Sequence, residues 1–221
     1  MARKRKPKME YRYYEIPAGS PVLALLGDKW VQNYGRDIDY LHFHNHLEVG
    51  FCYYGEGTVT FKEDIPFDGN MFTVIPKNFP HTTTSAGDSV SYWEWLFIDA
   101  DKFLREVYKD NPRMAQKVLD RVNRRAHFVR VQDKPQIGAL VQQIIGCMRE
   151  RKEFYLEEVK GLTLALLLQV ARWNREEAEK TEFEAGNSSL ITPAIDYISE
   201  CCDRPIKVEE LAAMCHISET H

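Results

Sequence analysis

The chain has 221 residues, 44% of them hydrophobic and 12% aromatic, with 29 basic against 33 acidic side chains and a formal net charge of −4. That suffices for one sizeable core plus a smaller unit, excludes a disordered or fibrous chain, and gives no global signature of nucleic-acid binding. The apolar stretch Val22–Leu26 is too short for a signal-peptide core or a membrane span, and the five cysteines, in no metal or redox spacing, read as reduced thiols, so a cytoplasmic protein without a membrane partner is expected.

Residues 1–10 carry the run Arg3-Lys4-Arg5-Lys6-Pro7-Lys8 and read as a disordered basic tail. Residues 11–34 read as loosely extended, with turns at Pro17-Ala18-Gly19-Ser20-Pro21 and Gly27-Asp28. From Ile38 to Phe97 the β signals are dense. Val49–Tyr54, Thr58–Phe61, Met71–Ile75 and Ser89–Ile98 are rich in β-branched and aromatic residues, and turn residues punctuate them at the spacing of a sandwich or barrel. Gly55-Glu56-Gly57 reads as a hairpin turn.

Past Asp99 the period changes. Asp101–Leu104 and Pro112–Val122 look helical, and Phe128–Val131 a short closing strand. From Pro135, Ile137, Leu140, Val141, Ile144, Ile145 and Met148 fall on one helical stripe, and a second helix follows with Leu156, Val159, Leu162, Leu166, Leu167, Val170 and Trp173. These two helices need a partner surface, either the β domain or the same helices of a second copy. The polar stretch Thr181–Ser189 reads as a linker. Beyond it Thr192-Pro193 opens a helix that Asp203-Arg204-Pro205 stops, Val208–Met214 makes a short second helix, and Cys215–Ser218 reads as a turn ending in a helix cap.

The residues with the most chemical content lie between His44 and His81. His44, His46 and Glu48 alternate, so on an extended strand they share one face, and that face would point into a cavity. The strand from Met71 to Ile75 ends in Pro76 and Pro80-His81, which would return His81 to the same cavity. Trp93 and Trp95 alternate onto one face of a strand, where an indole suits the C–H surface of a sugar ring.

The H-x-H-x-E run with its later P-H, the helical pair, the linker and above all Ile206–Ser218, IKVEELAAMCHIS, resemble the AraC-type transcription regulators. The resemblance covers nearly the whole chain and implies an α+β protein: a cupin-like barrel of the double-stranded β-helix kind, two long helices, then an incomplete all-α helix-turn-helix unit. The implied boundaries are an effector-binding domain over 11–132, a dimerisation segment over 133–180, a linker over 181–190, and the start of the DNA-binding domain over 191–221. Lys207 stands where the family usually has a capping Ser or Thr, and the rest of the first recognition helix and the second helix-turn-helix lie outside this sequence.

The resemblance implies a homodimeric, ligand-responsive transcription regulator, an activator that is not an enzyme and needs no cofactor. DNA is a partner of the full-length protein only. The family's pocket positions fall on Tyr54, His81, Trp93 and Trp95, which join His44, His46 and Glu48 as the expected effector site. A sugar or related metabolite is the expected effector, although Tyr54 stands where sugar sensors carry an arginine. Ser218 and Thr220 are the expected first DNA contacts, Ser218 also as a helix cap. Two alternatives stay open. One is a metal-dependent cupin enzyme, an isomerase or dioxygenase with His44, His46, Glu48 and His81 as ligands, and the other a stand-alone dimerising cupin that antagonises its relatives.

Overall fold

The structure, a computed structural model, describes residues 8–36, 40–180, 193–194, 197–198, 201 and 205–218. The chain forms two compact units, Met1–Glu182 and Phe183–His221. In chain order the first strands are β1 (Lys8–Arg12), β2 (Leu23–Leu25), β3 (Val31–Gln32), β4 (Tyr40–His44), β5 (Leu47–Tyr54) and β6 (Gly57–Thr60). There follow β7 (Asp64–Phe67), β8 (Met71–Val74), β9 (Thr82–Ser85), β10 (Ser91–Ile98) and β11 (His127–Arg130). The helices are α1 (Ala100–Val107), α2 (Pro112–Val122), α3 (Pro135–Glu150), α4 (Tyr155–Lys180) and, in the second unit, α5 (Val208–Met214). The protein is therefore α+β, with its sheets ahead of its long helices. Among the described residues no helix is long and apolar enough to cross a membrane.

The main sheet runs β11-β8-β5-β10-β2, with β3 also on β10; β7-β6-β9 make a second sheet, and β1 lies parallel to β4. Strand parity decides what each face buries. Leu47, Val49 and Phe51 of β5 and Leu96 and Ile98 of β10 join Ile137, Val141, Ile144, Leu166, Leu167 and Val170 in one apolar cluster under the helices. Cys52, Trp93, Trp95 and Phe97, from the opposite parity, cluster with Val59 and Phe67 of the second sheet. Each fully buried side chain of this size contributes about 1.5–3 kcal/mol, and the stripes of α3 and α4 are buried in a cluster to which the sheet and helices α1 and α2 all contribute.

The expected hairpin at Gly55-Glu56-Gly57 does not form. β5 pairs with β8 and β10, whereas β6 pairs with β7 and β9, so the chain crosses there from one sheet to the other. Gly55 takes a left-handed φ of 107°, and a Cβ on Gly57 would lie 2.0 Å from the Thr84 carbonyl oxygen. Both glycines serve close strand approach at a corner rather than a two-strand turn.

The helix starts follow their caps. The Asp99 carboxylate accepts from the Lys102 amide at 3.0 Å, and the Asn111 side-chain oxygen from the Met114 amide at 3.2 Å, with Pro112 at the first position of α2. α5 spans the sequence-read Val208–Met214, has Lys207 in the capping place with no side-chain cap, and ends in the turn expected at Cys215. The expected linker lies outside the described residues, as does the start of the helix expected at Thr192.

Candidate functional site

β4 ends at His44 and β5 begins at Leu47, so the alternation is broken at Asn45-His46. The break is built by Asn45, whose side-chain oxygen accepts from the Tyr14 amide at 3.0 Å while its amide donates to the Tyr14 carbonyl at 3.0 Å. His46 turns the same way, its Nε2 donating to the Tyr14 carbonyl at 3.0 Å. His46 is therefore not on the face of His44 and Glu48, because the strand they were read on is two strands joined by a bend. The residue that takes its place is His42, two positions before His44 on β4.

Three backbone links bring the set together. His42 and His81 exchange both amide-to-carbonyl hydrogen bonds at 2.9 Å, which sets their rings side by side with centroids 4.3 Å apart. Glu48 is paired in the same way with Ile75, at the end of the segment that leads through Pro76 to His81. The bend after His44 returns Glu48 beneath it, so that His44 Nε2 lies 3.1 Å and His81 Nε2 3.4 Å from the two carboxylate oxygens of Glu48. His44, Glu48 and His81 are all buried.

The tautomers are fixed by what the other ring nitrogens touch. His44 Nδ1 is 2.8 Å from the His46 carbonyl and His81 Nδ1 is 2.9 Å from the Phe79 carbonyl. A carbonyl only accepts, so both Nδ1 atoms carry hydrogen and both Nε2 atoms face the carboxylate. Burial pushes the Glu48 carboxyl up, but the His81 and His44 imidazoles outweigh it and hold it below the ordinary carboxylate range. Burial, reinforced by His81, brings His42 down to about 2 and keeps it neutral. The ligand atoms of His42, Glu48 and His81 lie within 4.8 Å of one another, a spacing a metal ion could span.

These groups form one wall of a cavity of about 280 Å3. Tyr14, Trp30, Tyr34, Trp95 and Phe97 supply aromatic surface, and Arg12, Gln32, Asn33, Thr82 and Thr83 the polar lining. Tyr14 stacks on Phe97 with ring centroids 3.9 Å apart. The volume sits just below the usual range for small-molecule sites, and the mixture of ring faces with hydrogen-bonding groups is that of a site for a compact polar ligand.

The sequence-read residues divide. His44, Glu48 and His81 come together, and Trp93 and Trp95 stack in parallel, centroids 4.9 Å apart, with Trp95 on the cavity and Trp93 fully buried behind it. Tyr54, 49% exposed at the end of β5, packs on Tyr92 and does not line the cavity, because β5 leaves the sheet at that corner. Ser218 is exposed after the turn that follows α5, and Thr220 lies outside the described residues. Arg12, Tyr14, His42 and Phe97 were missed. For His42 the signal was present, since His42-Phe43-His44 is itself an alternating pair; Arg12 and Tyr14 reach the site through the parallel β1–β4 pairing, which sequence periodicity does not encode.

No family model and no curated protein matches the chain. Solved structures do. ToxT from Vibrio cholerae aligns over 90% of this chain and 71% of its own, at 10% identity and a TM-score of 0.51. A structure of ToxT from Vibrio cholerae O395 aligns over 91% and 70%, at 11% identity and a TM-score of 0.50. The AraC-like transcriptional activator CuxR covers 80% of this chain at 14% identity and a TM-score of 0.44, and the chain spans only 58% of its length. In fold, the chain is thus similar to ToxT.

Proposed function

We infer that this chain belongs to a ligand-responsive transcription regulator of the AraC type. Its N-terminal unit acts as a cupin-like sensor and the segment after the linker begins the DNA-binding part. The observation that carries the reading is the cavity of about 280 Å3, enclosed by aromatic faces and hydrogen-bonding groups inside a fold shared with ToxT. The effector is a sugar or related metabolite. Trp95 offers an indole face to a ring's C–H surface, and Gln32, Asn33, Thr82 and Thr83 offer partners to hydroxyl groups. No catalysis is assigned. The α3–α4 segment serves as the dimerisation element, and the region from Ser218 onward meets DNA in the full-length protein.

The test is thermal unfolding of the chain against a panel of monosaccharides, sugar acids and unrelated metabolites. A true effector at about 100 times its Kd stabilises by about 2.7 kcal/mol, and Trp95→Ala should abolish the response without removing cooperative unfolding. A panel in which no sugar shifts the transition, or one in which Trp95→Ala responds as the parent does, refutes the assignment of sugars to this cavity.

A further inference from the structure

We propose that His42, His81 and Glu48, with His44 as a fourth ligand, form a site for a divalent first-row transition-metal ion of the zinc or cobalt kind in the cavity wall. The proposal stands on the geometry of these four side chains and not on the effector reading.

Four observations converge on it. First, His44 Nε2, His81 Nε2 and Glu48 Oε1 are buried and have no hydrogen-bond partner. Since both Nδ1 hydrogens are spent on backbone carbonyls, each Nε2 is left facing a carboxylate oxygen, the place where a bound metal ion takes a lone pair from both. Second, the spacing suits a metal. Ligand atoms each held at about 2.1 Å from one ion lie roughly 3.0–3.4 Å apart in octahedral or tetrahedral arrangements, and the observed separations from Glu48 are 3.1 and 3.4 Å.

Third, the Nδ1-to-carbonyl hydrogen bonds are the second layer that metal-bound imidazoles normally carry, fixing ring orientation and raising the basicity of the ligating nitrogen. Fourth, Glu48 is a buried carboxylate whose ion-pair partners among the described residues are these imidazoles alone, so a bound cation supplies the neutralisation that no Lys or Arg provides. Three imidazoles and one carboxylate select ions such as zinc, cobalt or nickel over magnesium or calcium, which prefer oxygen. Because His42, Glu48 and His81 also line the cavity, the ion would keep a side open to a small ligand.

The rival account is a proton on each Nε2, giving imidazolium–carboxylate pairs and no metal. The two are separated by stripping the full chain with a chelator and titrating it with cobalt and with zinc chloride, with no organic ligand present. Metal content after desalting, the visible absorption of bound cobalt, and the unfolding temperature are read. The expected result is one ion per chain, a cobalt spectrum of a nitrogen–oxygen site, and a raised unfolding temperature. Outer-layer partners alone typically change affinity 10–100-fold, so His81→Ala and Glu48→Gln should each weaken binding by at least about 100-fold, while His46→Ala should stay within about 3-fold of the parent. A stripped chain that takes up less than about a tenth of an ion, with an unchanged unfolding temperature, overturns the proposal. So does a His46→Ala variant that loses as much affinity as His81→Ala. The unsubstituted chain decides the first outcome without depending on whether any variant folds, and either result leaves the sugar panel to be judged on its own.

Discussion

Replacing Glu94 by alanine should destabilise the N-terminal unit far more than replacing its cationic partner. Glu94 is fully buried on β10, where its carboxylate accepts from the Gly27 amide at 2.9 Å, the Tyr92 hydroxyl at 2.8 Å, the Tyr53 hydroxyl at 2.7 Å and the Arg149 guanidinium of α3. A hydrogen bond to a charged acceptor is worth about 1.5–3 kcal/mol. With the carboxylate gone, Arg149, whose side chain is 48% exposed, can turn to water, but the Gly27 amide and the Tyr53 hydroxyl are stranded. Two stranded donors give a loss of about 3–6 kcal/mol. Arg149→Ala leaves Glu94 with three donors and should cost only about 1–2 kcal/mol. Burial pushes the Glu94 carboxyl up, but Arg149, Tyr53, Gly27 and Tyr92 outweigh it and hold it below its ordinary 4.5. Its contribution is therefore fully present above pH 4.5 and is lost as pH falls through the lower folded-state value, a loss that Glu94→Ala should not show. Urea unfolding of the three proteins at neutral pH and at a series of pH values below 4.5 measures all of this. Equal losses for the two variants, or a larger one for Arg149→Ala, would refute the reasoning.

Further substitutions test other parts of the fold. A methyl group on Gly50 would sit 2.4 Å from Cζ3 of Trp95, so Gly50→Ala should cost about 1–3 kcal/mol and shift the tryptophan emission; unchanged emission would mean the indole does not move. Asn174 accepts from His127 Nε2 at 2.5 Å and donates to the Arg121 carbonyl at 2.7 Å, so Asn174→Ala should lose about 2–3 kcal/mol in urea unfolding, and a loss below about 1 would refute that tie between α4, β11 and the end of α2. Thr163 is buried with its hydroxyl unpartnered, so Thr163→Val should be neutral or stabilise by up to about 1 kcal/mol, whereas clear destabilisation would reveal a hydroxyl partner.

Much of the fold was legible because period and punctuation carried it. The helical stripe of Ile137, Val141, Ile144, Ile145 and Met148 gave α3, and Val208–Met214 gave α5 to the residue. Three strands escaped notice for physical reasons, the first being β1, whose Lys8–Glu10 fall in the expected disordered tail but pair in parallel with β4. β7 holds Pro66, which marks a non-strand in a sheet interior but is tolerated here because β7 is an edge, and β9 is a run of threonines ending in serine with no apolar alternation. The site was half legible. An H-x-H-x-H run offers two alternating pairs, and the choice between them depends on a bend held by Asn45 against Tyr14, 31 residues away in sequence. Likewise Gly55-Glu56-Gly57 carries the same residues whether the chain folds back on itself or changes sheets, and only the partner strands decide.

The parity of β10 joins the cavity to the helices. Trp93, Trp95 and Phe97 point to the space between the sheets, while Glu94, Leu96 and Ile98 point to the helical side, where Glu94 holds Arg149 of α3. Trp95 on the cavity and Glu94 on the anchor are thus consecutive residues of one strand, paired with the equally two-sided Gly50 and Phe51 of β5. A packed interior transmits displacement rather than absorbing it, because it holds few voids into which side chains can relax. A displacement of the Trp95 indole is therefore felt by the backbone it shares with Glu94. One strand thus puts Trp95 on the cavity and, beside it, Glu94 on α3, while Leu96 and Ile98 of the same strand join the apolar cluster that holds the helices.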